Sequence, residues 1–550
     1  MPIIFLTGCA YPVAYEIMGH RLVFSLLGHL SMLEVEKMTQ VDPSYSRPSV
    51  GLYTALAIPI AVYAVYYCIL FPLLRTDLRV IPGPFLAKLT NLHRVLLVRS
   101  GVVHEHHIDL HRRHGPLVRL GPNNVSVGSP AAVPVLYNIR TRYPKSDFYP
   151  VMGNMANGKV VPTIFSTPDE SVHEVMKRPI AQVYAMSNLK SYEPLVESTE
   201  ALFIEKLERL ADEKQPFDLG TWLHWFATDV ILEITFGQRL GFLEREQDVD
   251  GILQMIEERF WYVAIVGQVP WLDRLLHKNG LMSYLKGLFS TSTVSPVLEF
   301  ALDQIATRKA ERLHHPETKA TRRDFLARFL DIKEANPNIP DIWILSWCQQ
   351  NVQAGSDSTA ITLTSVMYHL LRYPDSMELL MKELKEAHLA HPILWEYVHK
   401  LPYLDACIKE ALRITPAVGI PLERVAPEGG VHLCGRYFAP GTVLGINAWV
   451  VHRDKGVYGD DADSWNPGRW MTADEDRRKL MDRTLFSFGG GTRVCLGRNI
   501  SYLEMYKVIP ELLLRFKFDL ASPQKQWEIR NAFFTYTKGV MVTVKKVHQE

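Results

Sequence analysis

The ten residues Phe488-Gly489-Gly490-Gly491-Thr492-Arg493-Val494-Cys495-Leu496-Gly497 constrain this chain more than any other stretch. Consecutive glycines permit a tight backbone wrap that other residues resist. A basic residue stands two positions before the cysteine, and Arg493 together with backbone N–H groups favours sulfur as an anion. With average residue frequencies, the five fixed positions of Phe-x-x-Gly-x-Arg-x-Cys-x-Gly recur by chance in a chain this long on the order of once in ten thousand. Cys495 is therefore a candidate metal ligand. The other five cysteines (Cys9, Cys68, Cys348, Cys407 and Cys434) are far apart, with no Cys-x-x-Cys pair, so a disulfide framework or zinc site is not indicated and a reducing compartment fits best.

Charge and composition narrow the function classes. Over 550 residues, Lys plus Arg is 60 against 59 for Asp plus Glu, so no net field draws the protein to nucleic acid. Hydrophobic residues at 47% and charged residues at 22% argue for a folded body without long disordered stretches.

Gly51 to Leu74 runs for 24 positions without a charge, enough as a helix to cross a hydrocarbon core of ~30 Å. It reads as a transmembrane helix, and Pro59 is tolerable in a bilayer. Lys37 and Arg47 precede it, whereas Arg75, Arg79, Lys88, Arg94 and Arg99 follow, which places the rest of the chain in the cytosol by the positive-inside rule. Residues 1–50 form a leader in which Pro2 to Leu33 is apolar but interrupted by Glu16, His20 and Arg21: a second weak span, an interfacial helix or an unusual leader. Residues 75–90 form a connector whose Arg79-Val-Ile-Pro-Gly-Pro-Phe85 is stiff and non-helical, a hinge between anchor and body.

Residues 91–550 show no repeat and no composition break, so they read as one large domain, mainly α with a minor β-sheet. Leu117 to Leu120 and Val125 to Val127 flank a Gly121-Pro-Asn-Asn124 turn and read as paired strands. From about Ser129 to Thr415, three- and four-residue apolar steps predict helices, as through Leu202 to Leu210 and Met377 to Leu389. Short β-like pieces return between Gly430 and Ala448, followed by a helix from Ser501 to Phe516 and a strand at Val540 to Val544. Asp341 to Tyr373 is a long apolar helix interrupted by Ala354-Gly355-Ser-Asp357-Ser358-Thr359, a polar patch that is expensive to bury. Small residues at 354 and 355 leave room for a bound diatomic, and an acid with hydroxyls can relay protons.

The decapeptide resembles the heme-binding loop of cytochromes P450, and the resemblance extends over residues 79 to 550. It implies the P450 fold behind an N-terminal anchor, heme b (iron protoporphyrin IX) as cofactor, and Cys495 as the axial iron ligand, with Phe488, Gly491 and Gly497 shaping the loop. Glu410-Ala-Leu-Arg413, 85 residues before the cysteine, matches the family's Glu-x-x-Arg motif. Trp465-Asn-Pro-Gly-Arg469-Trp470 resembles its partner, so Glu410, Arg413 and Arg469 are expected to form a buried structural triad. The family often has Glu where this chain has Gly468, which puts a secondary contact in doubt. The patch at 354 to 359 resembles the oxygen-activating motif, with Asp357 and Ser358 or Thr359 delivering protons. Serine at 358 keeps the hydroxyl and loses the methyl, so coupling of electrons to product could be looser. Arg493, Arg424 and the pair His173 and Lys177 match positions where the family holds the heme propionates.

The resemblance further implies a monooxygenase that uses O2 to hydroxylate or oxidatively demethylate a small hydrophobic molecule. No dinucleotide-binding Gly-x-Gly-x-x-Gly follows a strand, so electrons would come from a membrane-bound NADPH-cytochrome P450 reductase, with cytochrome b5 as a possible second donor, docking near Arg498. The membrane lipid would be that of the endoplasmic reticulum. The run Ala448 to Asp454 with Asp460 to Trp470 and Gly497 to Met505 is similar to fungal microsomal members of the pisatin demethylase group, pointing to secondary metabolism. Two alternatives stay open: a heme-thiolate rearrangement or dehydration enzyme that needs no reductase, and a non-catalytic heme sensor. Phe217 to Phe226, Trp261 to Val269 and Val418 to Leu422 are candidate substrate-pocket segments.

Overall fold

The computed structural model describes Ile58 and residues 75–547 other than 157–158, 280–294 and 316–322. Gly51 to Leu74, expected to span a membrane, lies outside the described residues but for Ile58, as does the leader before it. Among the described residues no helix is long and apolar enough to cross a membrane. The connector is part of the body rather than a free hinge: Leu78 and Ile81 are buried, and the Arg119 N–H donates to the Pro82 carbonyl at 2.8 Å.

Helices dominate, as the apolar spacing predicts. Helix α1 (Val103–His114) precedes strands β1 (Leu117–Arg119) and β2 (Asn124–Val127). Then come α2 (Glu170–Lys177), α3 (Leu189–Glu213), β3 (Phe217–Asp218), α4 (Leu219–Phe236), α5 (Ile252–Val266), α6 (Asp341–Arg372) and α7 (Pro402–Ile414). Strands β4 (Leu422–Val425) and β5 (Val443–Ile446) lead to α8 (Arg498–Arg515) and β6 (Phe516–Leu520). A hairpin, β7 (Glu528–Asn531) and β8 (Thr535–Lys538), and then β9 (Met541–Lys546) follow. The four-stranded sheet runs β1-β2-β5-β4, with β2 and β5 parallel and the other two pairs antiparallel; a second sheet runs β6-β9-β3.

Helix α6 is the axis of the body. Pro340 stands before its first residue and Pro374 two positions beyond its last, so proline brackets both ends. Its buried hydroxyls cost little because each finds a carbonyl one turn back: Ser356 to Val352 (3.0 Å), Thr362 to Ser358 (3.1 Å) and Thr364 to Ala360 (2.7 Å). Helix α4 lies along α6, and a Cβ at Gly355 would stand 2.7 Å from Ile231 Cγ1. The small residue at 355 is thus required by helix packing, a different reason from the diatomic-sized space expected there. Around this axis α3, α4, α6, α7 and α8 share one large apolar core.

The triad expected at Glu410, Arg413 and Arg469 assembles where α7 meets the segment after residue 452. Glu410 accepts two bonds from the Arg413 guanidinium (2.7 and 2.8 Å), one from Arg469 Nε (3.1 Å) and one from the Trp470 indole (3.0 Å). Burial alone would raise its carboxyl, and the two arginines more than reverse this, holding it below its ordinary value. The carboxylate missing at Gly468 is made good by Asp461, which takes bonds of 2.9 and 3.0 Å from Arg469. From this network the order passes onward. The Arg413 carbonyl is met by His452 Nδ1 at 2.9 Å, while the Phe486 N–H donates to His452 Nε2 at 2.7 Å. Those two partners fix the histidine as the neutral Nδ1–H tautomer. Ser487 Oγ donates to the Leu412 carbonyl at 2.5 Å, so the glycine-rich loop starts from α7 itself.

Two stability tests follow from these contacts. Glu410→Ala leaves two guanidinium groups without their shared carboxylate and should cost roughly 3–5 kcal/mol in urea unfolding; a loss below ~1 kcal/mol would contradict the role given to the network. Burial holds His104, His107 and His452 at about 3 and His111 and His369 at about 4. Unfolded, all five take up protons near ~6.5, so acidification favours the unfolded chain. Buried Glu200 (about 8), Asp229 (about 6) and Glu504, raised by the same burial, act in the opposite sense, but they are fewer. The urea midpoint should therefore fall as pH drops from ~6.5 to ~4.5, and a midpoint that rises would show that the carboxyls dominate.

Candidate active site

The loop from Phe486 to Gly497 wraps back on itself, with the Cys495 N–H donating to the Phe488 carbonyl at 2.9 Å. Gly489 and Gly491 take φ of 67° and 65°, which other residues rarely adopt, and a Cβ at Gly491 would lie 2.6 Å from the Tyr137 carbonyl oxygen. The wrap therefore needs glycine for both conformation and space. Gly497 differs: a Cβ there would meet no described atom within 4 Å. It stands at the start of α8, just after the cysteine. Phe488 is half-buried and packs its ring 5.3 Å from that of Tyr502.

The Cys495 thiol lies deep among protein atoms and yet stays accessible, which places it on the wall of an internal cleft. Burial pushes it up, and the Gly497 and Arg498 N–H groups, with the charges of Arg498 and Lys177, pull in the opposite direction. Among the described residues no cluster of three or more His, Cys, Asp or Glu side chains could hold a metal ion. Cys348 and Cys407 are buried thiols in the apolar core, so Cys495 is the one cysteine presented at a helix N-terminus among the described residues.

Beside the loop, five basic side chains gather. Arg493 pairs with Glu170 of α2 at 2.6 Å. Lys177 Nζ donates to the Thr492 carbonyl at 2.8 Å, and His173, one turn earlier on α2, is buried and held at about 3 by burial and by Arg493. Arg424, on β4, is buried and lies with its guanidinium 5.0 Å from the centroid of the Tyr137 ring. The fifth, Lys145, was not evident from sequence. It is buried, donates to the Phe165 carbonyl at 2.6 Å and lies 3.9 Å from that ring's centroid. Burial, then Arg424 and Arg493, hold it well below the ordinary lysine range. Nothing in Pro144-Lys145-Ser146 marks this lysine; a bridge between Lys145 and Arg424, 279 positions on, makes it part of the site.

Five bases around one carboxylate, Glu170, are an electrostatic debt in a buried place. A guest with two carboxylates beside a sulfur-binding metal would settle it, so these residues fit the heme that the resemblance implies. Cys495 would hold the iron, and Arg424, Arg493, Lys145, His173 and Lys177 are the basic groups that would hold its propionates.

Helix α6 leaves Asn351, Ala354, Gly355 and Ser358 partly accessible, the i, i+3, i+4, i+7 spacing of one helix side. The three residues expected to relay protons point three ways. Ser358 lies on that face, its hydroxyl donating to the Ala354 carbonyl at 2.7 Å. Thr359 is buried against Ser501 of α8 at 3.0 Å, which sets it apart as a tie between helices. Asp357 is buried and faces α4 and the hairpin. Of the expected pocket segments, Phe217 to Phe226 belongs to the main core instead, because Trp222 and Phe226 stack on Phe203 and Phe217 meets Trp222 edge-on. Residues 261–269 and 418–422 do meet, in a smaller cluster with Phe148, Phe533 and Phe534 at the hairpin tip.

The cytochrome P450 family model matches residues 82–544. Cytochrome P450 monooxygenase cicH of Emericella nidulans is 42% identical over 503 residues, 89% of this chain and 98% of that protein. A cytochrome P450 monooxygenase of Aspergillus terreus is 42% identical over 470 residues, covering 84% of this chain and 94% of its own length. Cytochrome P450 monooxygenase mpaDE of Penicillium brevicompactum is 40% identical over 479 residues, 86% of this chain but 55% of that protein. Matches of this extent, through the loop and the helices that frame it, make one assignment: the chain belongs to the cytochrome P450 monooxygenase family of oxidoreductases.

Proposed function

We propose that this chain hydroxylates or oxidatively demethylates a small hydrophobic molecule in fungal secondary metabolism. The observation that carries the reading is the Cys495 thiol, left accessible in the glycine-rich loop at the start of α8. The balance is that of a monooxygenation: substrate C–H, O2, two electrons and two protons give C–OH and water, and a demethylation follows when the hydroxylated methyl leaves as formaldehyde. Heme, when bound, supplies the dioxygen activation.

The protein's own part is positional. Gly497, Arg498 and Lys177 favour charge on the Cys495 sulfur, and the basic groups around Lys145 and Arg424 would hold the acidic edge of the bound group. Ser358 offers a hydroxyl at the open face, and the buried acid Asp357 stands one residue away. The aromatic cluster of Phe148, Phe260, Phe533 and Phe534 keeps water from that side.

Electrons are assigned to an NADPH-dependent reductase, because the chain has no dinucleotide-binding motif of its own, with cytochrome b5 as a further donor. Membrane attachment through Gly51 to Leu74, with the body on the cytosolic side of the endoplasmic reticulum, is part of the same proposal. Phe85 (77% exposed), Leu92 (50%) and Leu96 (51%) support it, since these apolar side chains stand uncovered close to where that segment enters the body.

The deciding experiment is the carbon monoxide difference spectrum of the reduced full-length protein beside Cys495→Ser. The wild type should show the long-wavelength Soret band of thiolate ligation and the variant should lose it. A histidine-type band in the wild type would remove the oxygenase reading.

A further inference from the structure

Asp357 is the only carboxylate in α6 beyond its first residue, and it does not face the cleft. Its side chain is 2% exposed and meets two groups from other elements. Tyr536 of β8 donates its hydroxyl to Oδ2 at 3.3 Å. His224 of α4 brings Nε2 to 2.7 Å from Oδ1, off the line of a well-aligned bond, so that each atom is left without a good partner. Two lone pairs repel at that separation, so a proton must lie between them, either on the ring or on the acid. The histidine side chain is 23% exposed, and this is the asymmetry that matters: one partner touches solvent and the other does not. The remaining charged group near this pair is Glu257 of α5, half-buried beside Tyr536.

We infer that His224 is the outer station of a proton path, passing protons from solvent to Asp357, which turns them towards Ser358 on the open face of α6. The inference rests on the monooxygenase reading and adds to it a positioning residue on a different helix, 133 positions before Asp357. Only protons move in this step. His224 Nε2–H gives its proton to Asp357 Oδ1, the ring regains one from water at its exposed edge, and a side-chain rotation of Asp357 presents the proton to the Ser358 side. Tyr536, donating to the other oxygen, holds the carboxyl so that Oδ1 is the one that receives it. An imidazole suits the outer place because it can carry a proton on either nitrogen, taking one at one edge as it gives one at the other.

The test uses full-length holoenzyme with a reductase, NADPH and dioxygen, without an added substrate, and counts hydrogen peroxide released per NADPH oxidised. Water forms only when protons arrive in time, so His224→Gln, which keeps a polar side chain but does not shuttle protons, should raise this ratio severalfold. It should also enlarge the slowing of NADPH oxidation in D2O. His224→Asn serves if the glutamine variant does not retain heme. A second readout needs no turnover: the fall in thermal midpoint of the His224→Gln, Asp357→Asn double variant should be less than the sum of the single falls. An unchanged peroxide ratio in variants that keep the thiolate carbon monoxide spectrum would overturn the proton path alone. A wild type that lacks the thiolate carbon monoxide band would overturn the monooxygenase reading and the path with it.

Discussion

A carboxylate with none of its surface exposed keeps its charge only if its surroundings replace water, and Glu410 shows how completely that has to be done. Two guanidinium groups, an indole N–H and the Asn466 N–H at 2.9 Å converge on its two oxygens. Those partners come from α7 and from the segment around Asn466 to Trp470, which shares no regular structure with it. The Arg413 guanidinium also caps the carbonyls of His452, Ala462 and Ser464. Because His452 in turn takes the Phe486 N–H, the cysteine loop inherits its position from a charge pair that never touches the cysteine. Placement of the sulfur is thus a consequence of satisfying one buried acid.

The opposite balance rules on the other side of the loop. Where Glu410 is fully compensated, the basic groups near Cys495 are not: Glu170 is the carboxylate that Arg493, Lys177 and Lys145 share, and burial has pushed Lys145 and His173 towards their neutral forms. Compensated charge gives rigidity and uncompensated charge gives affinity, and the chain places the two kinds on neighbouring segments. Helix α6 then supplies the third wall, apolar and small where it faces the cleft, with its acid held at the back by α4 and β8.

Much of this was legible in the residues. The cysteine loop, the boundaries of α6 and the pairing of β1 with β2 follow from local rules: glycine conformations, flanking prolines and alternating apolar positions. The triad was legible because its two motifs are local in spacing, although their meeting is not. What escaped was set by contacts between distant positions. Lys145 looks like any surface lysine until Arg424 is placed beside it, and Asp461 stands in for a missing glutamate from seven residues earlier than Gly468. Asp357, Ser358 and Thr359 read as one motif, but successive helix residues turn by about 100°, so neighbours in sequence serve three different faces. Phe217 to Phe226 misled for a related reason, since an aromatic-rich stretch is equally suited to a core and to a pocket wall.

The like charges gathered around Lys145 carry a consequence for how the protein matures. Without its prosthetic group, the folded body crowds basic side chains where water screens them poorly, and Lys145 and His173 are pushed towards their neutral forms as a result. A dianionic ligand would favour their charged forms, and by mass action the gain would appear as stability of the whole body. Loading and final consolidation would then be one thermodynamic event.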